Sequence, residues 1–136
     1  MRYLLDTNAC ISYLNNAASP VRMRMQMLRP SEIVLCAVVE AELYYGVMKS
    51  TAAVKNLAKL TPFLSQFVSL PFDGEAAREF GCIRAVLAKA GTPIGPFDLQ
   101  IAAIAKVNEL ILVTHNTREF SRVSGLQLDD WEQSRQ

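Results

Sequence analysis

Four positions along this chain carry residue types that could do hydrolytic chemistry together: Asp6, Glu42, Asp98 and Asn116. Asp6 ends the apolar run Tyr3-Leu4-Leu5 and is followed by Thr7 and Asn8. Such a run reads as a short buried strand, and in an open α/β sheet ligands collect beyond the carboxyl ends of the strands. Thr7 and Asn8 stand where they could hydrogen-bond the Asp6 carboxylate and orient it. Asp and Asn are also common helix caps and turn formers, so the stretch gains meaning only if other acids converge on it.

Two further acids lie in apolar stripes. Glu42 follows Val38 and Val39 by four and three residues and precedes Gly46 by four, so all share one helical face. An acid there is costly unless it is paired or bound to a cation; a salt bridge to Lys49 is the plain alternative. Glu40, two positions earlier, points elsewhere and reads as solvated. Asp98 is followed at three, four and seven residues by Ile101, Ala102 and Ala105. An acid in a first helical turn complements the helix dipole, but that does not explain an acid aligned with the most apolar stripe of the chain. Thr114-His115-Asn116 directly follows another apolar run, and Glu119 lies within reach. His115, alternating with its neighbours, should face away and reads as structural.

If Asp6, Glu42 and Asp98 converge, they cannot all stay ionised in a sparsely solvated cleft without a cation. An all-oxygen donor set selects Mg²⁺ or Mn²⁺ over zinc, and such sites serve phosphoryl chemistry. The chain has one histidine, His115, and three cysteines with no CxxC pair, Cys10, Cys36 and Cys82. That composition disfavours a His/Cys zinc centre and suggests reduced thiols in a cytoplasmic protein. The net charge of +1 gives no overall basic excess, so a nucleic-acid role needs a local patch. Apolar residues make up 51% of the 136, enough for one domain with a real core. No stretch approaches membrane-spanning length, and the first residues lack a signal-peptide pattern.

The elements that must position these residues alternate. After the first strand, Cys10 to Leu14 reads as a short helix. Ser19-Pro20 caps another from Val21 to Leu28. Strands are expected at 33–36, 67–70 and 111–114, with helices at 38–49, 51–66 (interrupted or tightened near Pro62), 73–90 and 95–109. Gly91 is the expected stop of the long helix capped by Asp73. The tail, 116–136, carries a helical turn around 118–121 and an edge strand near 126–128. This alternation argues a parallel sheet between helical layers.

Several motifs together resemble one family: LDTN at 5–8, EAELYYG at 40–46, GTPIGPFDLQIAA at 91–103, THNTREF at 114–120 and GLQLDDW at 125–131. The sequence is similar to PIN-domain ribonucleases, specifically the VapC-type toxins of bacterial type II (VapBC) toxin–antitoxin pairs. The resemblance covers nearly the whole chain. It implies a single PIN domain over 1–136, with a four- or five-stranded parallel sheet sandwiched between helices. It implies a Mg²⁺-dependent endoribonuclease, with Mn²⁺ able to substitute, cleaving RNA and in particular transfer RNA, often the initiator, near the anticodon. The family's metal-binding acids carry over to Asp6, Glu42 and Asp98, and its fourth position, often Asp, falls on Asn116. Thr7, Asn8, Thr114 and Glu119 are supporting candidates. The implied partners are a VapB-type antitoxin, a second copy of the chain in a homodimer, and higher hetero-oligomers with the antitoxin.

Candidate phosphate contacts are Arg22, Arg24, Arg29, Lys49, Arg84, Lys89 and Arg118; Phe97 and Tyr45 read as packed in the core or a dimer interface, with stacking on bases as the alternative. Two other readings stand beside the toxin: a non-toxin PIN nuclease acting on other nucleic acids, and a catalytically idle binding module.

Overall fold

The computed structural model describes residues 1–133; the last three residues of the expected tail lie outside them. Five strands form one sheet in the order β3-β2-β1-β4-β5. They are β1 (Tyr3–Leu5), β2 (Ile33–Cys36), β3 (Val68–Leu70), β4 (Ile111–Val113) and β5 (Gln127–Asp129). Every pairing is parallel, with Leu4 opposite Val34 on one side and Leu112 on the other. Seven α-helices connect and flank them: α1 (Thr7–Asn15), α2 (Pro20–Gln26), α3 (Ala37–Lys49), α4 (Ala53–Leu64), α5 (Gly74–Ala90), α6 (Pro96–Val107) and α7 (Thr117–Phe120).

The inner strands are buried at every position of β1 and β2. That is the mark of a parallel sheet covered on both faces, and it explains why these strands read as unbroken apolar runs. α6 is the most deeply buried helix, with Leu99 and Ile101 to Ala105 in the core; its small alanines let it lie close to its neighbours α3 and α5. The C-terminal segment is anchored by Trp131, which meets Tyr3 of β1 edge-on at 5.1 Å and donates from Nε1 to Asp129.

Local chemistry sets the helix ends. Ser19 caps α2, accepting from the Val21 N–H at 3.1 Å with Pro20 at the first position. Asp73 caps α5 through the Ala76 N–H. Gly91 ends α5 in the left-handed region at φ 72°, where a residue with a Cβ is strained.

Several boundaries differ from the sequence reading. α1 starts at Thr7 rather than Cys10, because Asp6 is its N-cap and accepts from the Ala9 N–H at 2.8 Å. α4 ends at Leu64 and runs through Pro62, which lies in its last turn. α6 stops at Val107, and Glu109 beyond it turns into positive φ. α2 ends at Gln26.

Candidate active site

The sheet order decides what can meet. β1 is central, with β2 and β4 as its neighbours, so the carboxyl ends of these three strands share one edge. Asp6 follows β1 directly, α3 with Glu42 follows β2, and Thr114-His115-Asn116 follows β4. Asp98 enters from the first turn of α6, which packs against α3.

Asp6 is buried, at 5% exposure. Burial pushes its carboxyl upward. The Thr114 side chain and the Ala9 N–H, both hydrogen-bonding it, pull the other way, and the charges of Glu132 and Glu42 add to the rise. Asp98 is half-buried and pushed up to about 6, by burial first and then by the charges of Glu119, Glu42 and Asp6. The Glu42 charge thus acts on both Asp6 and Asp98, and the Asp6 charge on Asp98. Glu42 is fixed from outside its own helix: the Thr7 hydroxyl donates to its Oε1 at 2.6 Å.

Glu119 closes the opposite side. Its carboxylate accepts from the Asn116 side-chain amide at 2.8 Å and from the Gly95 N–H at 3.3 Å. It thereby ties the turn after β4 to the start of α6. Arg122 adds a second tie to the Pro93 carbonyl at 3.1 Å. Thr114 accepts from the Asn116 N–H at 3.0 Å. The structure thus brings Asp6, Glu42, Asp98, Glu119, Asn116, Thr114 and Thr7 to one edge.

Asn8 is not part of that network. Because α1 begins at Thr7, Asn8 is carried round the helix into solvent, and Thr114 rather than Asn8 supports Asp6. Thr7 likewise serves Glu42. Glu42 does not pair with Lys49, whose ammonium lies over the Tyr45 ring at 5.0 Å. Glu40 is half-buried rather than solvated and accepts from Ser69 of β3 at 2.7 Å. The sequence reading missed Glu132, whose charge reaches Asp6; the acidic run beyond the last apolar strand was the available signal.

Some candidate cations are otherwise engaged. Arg22 lies over the Tyr13 ring at 4.3 Å and donates to the Tyr13 carbonyl. Arg24 lies over Trp131 at 5.8 Å. Phe97 and Tyr45 are exposed, at 55% and 67%.

Asp6 and Asp98 both have raised proton affinity, with the Glu42 charge acting on each, and oxygen donors of this kind suit a hard divalent cation. On a parallel sheet of this order, that arrangement defines a PIN domain, and the PIN domain family model matches residues 3–126. The chain belongs to the PIN-domain family and, within it, to the VapC group. It is 44% identical over 131 residues to the tRNA(fMet)-specific endonuclease VapC of Shigella flexneri, covering 96% of this chain and 98% of that protein. It is 40% identical to the Salmonella typhimurium protein of the same name, with the same coverage. Among solved structures, the DNA-bound VapBC complex of Salmonella typhimurium superposes with a TM-score of 0.91 at 40% identity, covering 96% of this chain and 98% of that one. A VapBC complex of Rickettsia felis, bound to a DNA fragment from its promoter, gives 0.90 at 34% identity, with 96% and 99% covered.

Proposed function

We propose that this chain, acting as a single PIN domain over residues 1–136, is the toxin half of a VapBC pair: a metal-dependent endoribonuclease that cuts transfer RNA. The observation that carries this reading is the raised proton affinity of Asp6 and of Asp98, the latter pushed up to about 6, with the Glu42 charge contributing to both at one sheet edge. Acids held this way bind a divalent cation in preference to protons near neutral pH. Two relatives at 40–44% identity are named as tRNA(fMet)-specific endonucleases, which makes the initiator tRNA the first substrate to test.

Asp6, Glu42 and Asp98 would hold the ion, with Mg²⁺ the favoured occupant and Mn²⁺ a substitute. When bound, it lowers the pKa of water and offsets charge on the leaving oxygen. The chain's own groups do the rest. Thr7 and Thr114 hydrogen-bond Glu42 and Asp6 and so fix the directions of their carboxylates. Glu119 holds Asn116 and the amide of Gly95, fixing the approach of α6 and thus of Asp98. The burial of Asp6 keeps bulk water from screening the site.

A groove lined by Ile11, Leu14, Leu43, Val47 and Leu60 runs up to Glu42. It suits an apolar antitoxin segment, with a basic side chain reaching the acids in place of the metal's charge. Tyr44, Tyr45, Met48 and Val54 expose apolar surface on α3 and α4, which suits a second copy of the chain. Among the described residues no helix is long and apolar enough to cross a membrane, and a cytoplasmic site of action fits the substrate.

The test is cleavage of a tRNA(fMet) transcript in Mg²⁺ by wild type and by Asp6→Ala, with growth arrest scored on induction of each. Wild type should cut and arrest, and Asp6→Ala should do neither while remaining folded. Equal cutting by a folded Asp6→Ala protein would overturn the site.

A further inference from the structure

β4 ends in three consecutive residues with three different partners. Thr114 serves Asp6, and Asn116 donates to Glu119. His115, between them, turns toward the C-terminal segment, where its Nδ1 lies 2.9 Å from Oδ2 of Asp130. The Asp130 side chain is only 7% exposed, whereas that of His115 is 63% exposed. The other Asp130 oxygen accepts from the Glu132 N–H at 2.9 Å. The carboxylate is therefore held at both oxygens, in a segment that Trp131 anchors against Tyr3.

An exposed imidazole does not need this arrangement, since water satisfies both of its nitrogens. A buried carboxylate behind an exposed ring fixes the ring's tautomer and direction. With Nδ1 committed to Asp130, Nε2 is the nitrogen left facing solvent. The ring also lies close enough to Asp6 to feel its charge. Glu119 lies on one side of this rim and Glu132 on the other, with Arg118 exposed on α7 beside Glu119. A polyanion that comes to this edge needs a donor there. Arg22 and Arg24 of α2 lie over the Tyr13 and Trp131 rings.

We propose that His115, oriented by Asp130, contacts the substrate: its Nε2 edge donates to a backbone phosphate of the RNA strand next to the cleavage site. The inference rests on the ribonuclease reading above. In contact with the Asp130 carboxylate on one side and a phosphate on the other, the ring carries an N–H on each nitrogen.

The variant that separates contact from scaffolding is His115→Asn. Its side-chain amide can place an N–H near the position of Nδ1 and keep the link to Asp130, but it has nothing where Nε2 stood. Cleavage of a tRNA(fMet) transcript should show KM raised about tenfold with kcat little changed, in line with loss of one charge-assisted hydrogen bond. Plots of log Kd against log salt for the same transcript, with Ca²⁺ in place of Mg²⁺, should lose about 0.7 of slope, the value of one single-strand phosphate contact. The melting temperature should match wild type. A His115→Asn protein with wild-type KM and wild-type salt slope overturns the proposal, as does a His115→Ala protein that loses thermal stability but not affinity; both would make His115 a strut. Failure of wild type to cut RNA in Mg²⁺ or Mn²⁺ would instead overturn the ribonuclease reading, and the binding slopes would still decide the role of His115.

Discussion

Replacing Asp98 by Asn should make the metal-free protein more stable while removing its activity. The Asp98 carboxyl is pushed up from 3.8 to about 6 by burial and by Glu119, Glu42 and Asp6. A raised acid binds more protons in the folded state than in the unfolded one. Stability therefore falls as pH rises from about 4 through 6, and the full penalty is present at pH 7. The shift corresponds to an upper limit of ~3 kcal/mol. Asp98 is only half-buried, so solvent screening reduces this to ~1–1.5 kcal/mol. The favourable field at the start of α6 works the other way by ~0.5 kcal/mol. The net expectation in EDTA at pH 7 is a gain of about 0.5–1 kcal/mol, a rise of about 2–5 °C in Tm for a domain of this size. At pH 4 the gain should vanish, because the wild-type carboxyl is then largely protonated. Saturating Mn²⁺ should stabilise wild type by ~2.7 kcal/mol at one hundred times its Kd, and Asp98→Asn by much less. Calorimetry at both pH values, with and without metal, measures each part. An amide variant that melts below wild type in EDTA at pH 7, or that gains as much from Mn²⁺, would mean that these acids do not share an ion.

Other consequences are direct. Thr7→Val removes the 2.6 Å hydrogen bond to Glu42 and should lower kcat/KM about tenfold, with Thr7→Ser restoring most of it; steady-state cleavage assays read this. Gly91→Ala forces a Cβ into φ 72° and should cost ~1–2 kcal/mol by denaturant titration, with no change in metal affinity. Cys10 and Cys36 are buried, with thiol pKa values pushed up by burial, that of Cys36 to about 11, whereas Cys82 is exposed. A thiol reagent should therefore label one cysteine per native chain and all three in denaturant.

Much of this was written locally in the sequence. β2 and β4 are apolar runs because both faces of the sheet are covered, and Asp73 and Gly91 bracket α5 as a cap and a stop should. The three acids were legible because each is an expensive residue in its setting. The errors come from geometry that no local window contains. Starting α1 three residues earlier carries Asn8 away from Asp6, since successive helical residues point in different directions. Glu40 finds Ser69 only because β3 lies beside β2, and Asp130 finds His115 only because β5 lies beside β4. Pairings of this kind depend on strand order, which periodicity does not encode.

The placement of β1 has a consequence for how the protein comes into being. It precedes every other strand in the chain, yet it lies at the middle of the sheet, and Leu5 pairs with Val113. A strand synthesised first must wait, with one side unmatched, until β4 emerges. Contacts of such long sequence separation make folding slow and leave bare strand edges in the meantime. They also set when the candidate site can form. The acid that opens the site and the turn that completes it come from opposite ends of the message, so a nascent or truncated chain has no complete cutting edge.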